Sequence, residues 1–183
     1  IRGPLLTQSG YGVHSRQVFS WAESRGHNVY AEVTPWGMTP WYINPEYCDG
    51  LVGKIMAATN PPAVTPEISI QIQLPNEWDP NLCNKNIGIT AGVETTICSK
   101  QWVDACHNMD TVIVPSTFTA STFSNCGFET AKVISETYYK TCLEDPETLA
   151  EIESVKTKKN FLLFGQITGQ DSTLDRKNTL DTL

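Results

Sequence analysis

The chain has 183 residues, enough for one well-buried domain or for one domain with a piece of a second. Hydrophobic residues at 40% and charged residues at 18% set it apart from disordered chains. A formal charge of −7 argues against a nucleic-acid partner, whose phosphates need Lys and Arg, but leaves room for one small phosphate-bearing ligand held by backbone amides.

In chain order, a first strand ends at Gly3 and the loop Gly3 to His14 (GPLLTQSGYGVH) leads into a first helix. That helix is expected over Gly12 to Arg25, with Val18, Trp21 and Ala22 at helical spacing and Gly26 as its stop. Asn28 to Val33 alternates into a short strand. Thr34 to Tyr47 is rich in Pro and aromatic residues and reads as an irregular loop, and Cys48 to Thr59 reads as a helix. Ile68 to Gln73 (ISIQIQ) alternates without a break, which predicts a strand with Ile68, Ile70 and Ile72 on one apolar face, ending at Leu74-Pro75. A strand at Ile87 to Ala91, a helix at Ser99 to Asn108, a strand at Thr111 to Val114 and a helix at Thr117 to Cys126 follow. Ser116 suits the N-cap of the last helix and Gly127 its stop.

Alternating strands and helices predict an α/β fold, a Rossmann-like parallel sheet with helices on both faces. From Ala131 the sequence is looser as far as Lys159, with Pro146 opening an acidic helix. The cluster Lys156, Lys158, Lys159 and Asn160 reads as an inter-domain linker, and Phe161 to Gly165 (FLLFG) as a buried strand. Domains are therefore expected at 1–156 and at 157–183, the second incomplete. Ile1 is not a Met and Leu183 falls within a helical pattern, so both ends are expected to be cut.

Six cysteines (Cys48, Cys83, Cys98, Cys106, Cys126 and Cys142) include no C-x-x-C pair, so no zinc site is signalled. They are read as reduced thiols, with Cys106 and Cys126 buried on helices. No apolar run nears the roughly 20 residues that span a bilayer, and the opening IRGPLLTQSG has no signal pattern. A soluble, cytoplasmic protein is the expectation, with self-association into a homo-oligomer left open.

Four features carry chemistry. The loop with Gly10 and Gly12 lies at the carboxyl edge of a parallel sheet, where ligands bind, and its glycines are expected to adopt conformations closed to other residues. A dinucleotide fingerprint fits it less well, because Ser15 stands at the third glycine position and the loop is long. Glu94, in ITAGVETT, follows a small-residue turn at a strand's carboxyl end and points either into the same cleft or towards the next helix as an N-terminal charge. Ser116, in VPSTF, is a helix cap, and no G-x-S-x-G elbow supports a hydrolase triad. Arg176 and Lys177, entering a helix after FLLFGQ, form either a diphosphate clamp or a solvated surface pair.

In this order the features resemble the GT-B glycosyltransferases, in particular the retaining group that uses nucleotide-sugar donors, over nearly the whole chain. The family's glycine-rich loop matches Ser9-Gly10-Tyr11-Gly12-Val13-His14. Its acidic segment, followed by a helix and a strand ending V-P-S-x-F, matches Glu94-Thr95 through Val114 to Phe118. The opening of its second domain matches Phe164-Gly165-Gln166 and Lys177-Asn178 loosely, with Gln166 where Arg is common. The resemblance implies an acceptor-side domain joined to the start of a donor-binding domain, inactive alone and lacking the family's late acidic donor motif.

It further implies Glu94 and His14 as the catalytic candidates that orient the acceptor. Gly10, Tyr11, Gly12, Asn76, Glu77 and Thr95 would line the substrate, and Gln166, Arg176 and Lys177 would hold the donor diphosphate. No cofactor and no metal are expected, with a nucleotide-sugar as co-substrate and a glycan or other small molecule as acceptor. Two other readings stand beside it. One is a glycan- or partner-binding module that works through Trp36, Trp41, Tyr42 and Tyr47, and, independently of it, His14 reads equally as a helix-face residue without a role. The other is a GT-B-shaped nucleotide-sugar epimerase.

Overall fold

The computed structural model describes residues 1–137. The expected acidic helix, linker and strand beyond Ala131 that involve residues 138–165, the second domain at 157–183, and the candidates Gln166, Arg176 and Lys177 lie outside the described residues.

The elements run β1 (Arg2–Gly3), α1 (Gly10–Ser24), β2 (Glu32–Val33), α2 (Leu51–Ala57), β3 (Ile68–Ile72), a 3-10 turn (Pro75–Glu77), β4 (Lys85–Ile89), α3 (Lys100–His107), β5 (Thr111–Val114), α4 (Thr117–Ser124) and β6 (Lys132–Val133). Among the described residues the six strands form one sheet in the order β2-β1-β3-β4-β5-β6, and every pairing is parallel. Helices flank the sheet, so the fold is α/β and Rossmann-like, as the alternation of elements predicts.

Local signals set most boundaries. Ser9, Ser99 and Ser116 are extended residues whose hydroxyls accept from the amides of Gly12, Trp102 and Thr119, capping α1, α3 and α4. Gly26 and Gly127 stop α1 and α4 with φ of 76° and 96°.

Elsewhere the context shifts the boundaries. The strand expected over Asn28 to Val33 shrinks to two residues because its partner β1 offers only Arg2 and Gly3 for pairing. The helix expected from Cys48 starts at Leu51, because Cys48, Asp49 and Gly50 are left-handed (φ 55°, 55° and 78°) and cannot continue a right-handed turn. β4 sits two residues earlier than expected, drawn into register by the five rungs from Ile68↔Lys85 to Ile72↔Ile89. β6, in the stretch read as loose, forms by pairing with Ile113 and Val114.

Two apolar clusters support the sheet. One gathers Leu5, Leu6, Phe19, Ala31, Leu51, Val52 and Ile55 under α1 and α2. The other gathers Trp78, Val103, Cys106, Met109, Val112, Val114, Phe123 and Phe128 under α3 and α4. Full burial of a side chain such as Phe123 stabilises the fold by roughly 1.5–3 kcal/mol. Trp78 lies against β4 at Gly88, where an added Cβ would meet the indole ring at 2.7 Å.

The face of β3 is a correction. Its alternation predicted one apolar inner face; Ile72 on that face is fully buried, but Ser69 and Gln71 on the opposite face are buried too, as is Gln73 just beyond the strand, while Ile68 at its start is 51% exposed. β3 lies in the interior of the sheet, and its polar side chains organise the connection to β4. The Ser69 hydroxyl donates to Asn86 Oδ1 (2.7 Å). Gln71 donates to the Asp79 carbonyl (2.7 Å) and accepts from the Asp79 amide (2.8 Å). Asn86 Nδ2 donates to the carbonyls of Pro80 and Cys83. Burial of Ser69, Gln71 and Asn86 is tolerated because they are hydrogen-bonded.

The cysteines bring a second correction. Cys83, Cys98, Cys106 and Cys126 are free thiols, but Cys48 is disulfide-bonded, its partner lying outside the described residues. Of the two thiols expected to be buried, Cys106 is fully buried and Cys126 only half-buried.

Candidate functional site

The chain runs from β1 outward to β2 and then back past β1 to β3, so the strand order reverses between β1 and β3. In open parallel sheets ligands bind in the crevice outside the carboxyl ends of the strands at such a switch point. Here the residues after Gly3, the start of α1, the residues after Ile72 and the residues after Ile89 lie at that edge.

The glycine segment is built differently from its expectation. Gly10 and Gly12 belong to the first turn of α1, and neither has a positive φ, so conformational freedom is not their purpose. Gly12 is needed for close approach, since a Cβ there would stand 2.2 Å from the Thr7 carbonyl oxygen and 3.0 Å from that of Pro4. Gly10 has open space around it and leaves the helix start uncovered. The first amides of a helix have no intrahelical acceptor. Ser9 takes that of Gly12 (3.0 Å), which leaves the amides of Gly10 and Tyr11 as the natural donors to an anion at this end.

The loop beneath is held rigidly. The buried Arg16 donates through Nη1 to the carbonyls of Leu5 (2.8 Å) and Thr7 (2.9 Å), and its guanidinium lies over the Tyr42 ring. Thr7 also bridges to Trp41, the Gln8 amide donates to Pro40 and the Tyr42 amide to Leu6. The aromatic loop over Thr34 to Tyr47 is thus hydrogen-bonded along the glycine segment, so the two candidate regions form one surface.

Tyr11 joins them to a third. Its ring stacks on Trp36 at 4.1 Å, and its hydroxyl accepts from the Ala91 amide (2.9 Å) and shares a hydrogen bond with Thr90 Oγ1 (3.0 Å). Burial, chiefly, pushes the Tyr11 phenol above its usual pKa, and the nearby carboxylates of Glu136 and Glu77 add to the effect. With its hydroxyl committed inside the protein, Tyr11 organises the surface and offers only its ring to a ligand.

The segment after β4 is clamped by α4. Thr119 donates to the Ala91 carbonyl (3.2 Å), Thr122 to that of Thr95 (3.0 Å) and Asn125 to that of Thr96 (3.0 Å). Gly92 takes φ of 79° and turns the chain after Ala91, and Glu94, two residues further on, is exposed. The start of α1 and the segment after β4 therefore meet through Tyr11, Thr90 and Ala91.

The other candidates divide. His14, one turn along α1 from Tyr11, donates through Nδ1 to Glu136 Oε1 at 2.9 Å. The hydrogen bond from His14 holds the Glu136 carboxyl below its ordinary pKa, against the opposing effect of burial. Gln17 on the same helix donates to the Thr137 carbonyl (2.6 Å). Asn76 Oδ1 accepts from the Trp102 indole (2.8 Å) and Glu77 Oε2 from the Leu74 amide (3.1 Å), so both brace the local structure after β3. The Thr95 hydroxyl is turned to the Ile97 carbonyl (2.7 Å).

Thr90 and Glu136 were not found by sequence reasoning. Nothing local marks them, since each matters only through a partner far along the chain.

Among the described residues no group of three or more His, Cys, Asp or Glu side chains could hold a metal ion, and no helix is long and apolar enough to cross a membrane. Fold and site together define an α/β protein with a Rossmann-like sheet and a candidate site at its switch point. Comparison of the chain with family models, with curated proteins and with solved structures returned no match.

Proposed function

We propose that this chain provides the acceptor side of a GT-B glycosyltransferase that moves a sugar from a nucleotide-sugar to a glycan or other small acceptor with retention. The observation that supports it most is Tyr11, which links the uncovered start of α1, the aromatic loop and the segment of Glu94 into one surface at the switch point.

Glycosyl transfer develops positive charge on the sugar and negative charge on the departing diphosphate. The amides of Gly10 and Tyr11 at the helix start suit the diphosphate. Glu94, exposed at the rim, suits an acceptor hydroxyl. The Glu136 carboxylate fixes the His14 ring through Nδ1, leaving Nε2 as the nitrogen that meets substrate.

The exposed rings of Trp41 and Tyr47 favour a second reading, a glycan-binding module without catalysis. Saturation-transfer NMR on the full chain, with nucleotide-sugars and separately with oligosaccharides, distinguishes the two. The transferase reading expects a nucleotide-sugar or oligosaccharide contact whose Kd rises about tenfold or more, about 1.4 kcal/mol, in Glu94→Gln with the fold intact. Oligosaccharide binding that ignores Glu94 and disappears in Trp41→Ala would establish the second reading instead.

A further inference from the structure

The residues that hold the Glu94 segment against α4 end in a pair of thiols with no part in the proposed chemistry. Cys98 immediately precedes the N-cap of α3, and Cys126 immediately follows the C-cap of α4. The Cys98 amide donates to Cys126 Sγ at 3.3 Å, and Cys126 Sγ lies 3.7 Å from the Cys98 carbonyl oxygen. Both residues are half-buried, so a small reagent reaches them, and each is anchored at the end of a helix.

We propose that Cys98 and Cys126 are a site of reversible oxidative modification, closing to an internal disulfide at the expense of a small-molecule disulfide of the glutathione class. The inference does not rest on the proposed function. One cysteine thiolate attacks a sulfur of the oxidised reagent and expels one reagent thiolate, leaving a mixed disulfide on the protein. The second cysteine, as thiolate, attacks the protein-side sulfur of that bond and expels the second reagent thiolate. Two cysteine thiols lose two electrons and two protons, and one reagent disulfide becomes two thiols.

The product would fasten the segment Thr95 to Ile97 covalently to the end of α4, where Thr122 and Asn125 already hold it by hydrogen bonds. Cys106 is the competing partner, because it belongs to the apolar cluster against which Cys98 packs, but it is fully buried in the core beneath α3 and remote from a soluble oxidant.

The test is peptide mapping of the full chain after equilibration in glutathione buffers of increasing oxidised fraction, with acid quenching and alkylation. The expected result is a peptide pair joined Cys98 to Cys126, lighter by two hydrogens and lost on reduction. It persists in Cys106→Ser and is replaced in Cys126→Ser by a glutathione adduct on Cys98. Pairing of Cys98 with Cys106 would overturn the proposal. So would thiols or adducts alone in the wild-type chain at ratios that close a short unstructured dithiol peptide. The wild-type map decides even if a variant fails to fold.

Discussion

Replacing Gly12 and Gly10 separately by Ala adds the same methyl group two residues apart in the first turn of α1. At Gly12 the new carbon would stand 2.2 Å from the Thr7 carbonyl oxygen, 2.9 Å from Thr7 Oγ1 and 3.0 Å from the Pro4 carbonyl oxygen. Relief needs a backbone shift of about 1 Å. Thr7 resists that shift, because Arg16 holds its carbonyl at 2.9 Å and the residue is bridged to Trp41. Overpacking of this kind costs about 1–3 kcal/mol, and the better helix propensity of Ala returns at most about 1 kcal/mol. At Gly10 nothing lies within 4 Å, so only the propensity gain applies. Calorimetry should show Gly12→Ala lowering Tm by about 4–8 °C, and Gly10→Ala leaving it unchanged or raising it by up to about 3 °C. Equal stabilities for the two variants would refute the claim that Gly12 serves close approach.

Two further outcomes follow from the same region. Tyr11→Phe keeps the ring against Trp36 but leaves the Ala91 amide without its acceptor, and urea unfolding should show a loss of about 1–2 kcal/mol. Because burial raises the Tyr11 pKa, ultraviolet titration should show a late-ionising phenol step in the wild type that is missing in the variant. The Glu136 carboxyl is depressed by His14, so its stabilising effect is present above the ordinary carboxylate pKa of about 4.3 and is lost as pH falls through the lowered folded value. The stability gap between wild type and His14→Ala should therefore shrink below about pH 4. A gap that stays constant down to about pH 2 would show that the pair contributes nothing through charge.

Much of the architecture was readable along the chain. Ser99, Ser116, Gly26 and Gly127 signal helix ends through bonds and backbone angles within a few residues, so their meaning survives in any fold. The alternation of Ile68 to Gln73 likewise announced a strand, and the order of elements announced a parallel sheet. That β3 would be covered on its polar face as well was another matter. Gln71 and Ser69 are buried because Asn86 and the backbone at Asp79 come to meet them, and the pattern of β3 itself says nothing of those partners. The candidate site divides in the same way. Gly10, Gly12, His14 and Glu94 stood out as residue types at the ends of elements. The purpose of Gly12, the commitment of the Tyr11 hydroxyl to a residue 80 positions away, and the pairing of His14 with Glu136 required the chain to be folded. Sequence records short-range preferences, set by each residue and its near neighbours, whereas burial and hydrogen-bond partners depend on what the rest of the sheet brings alongside.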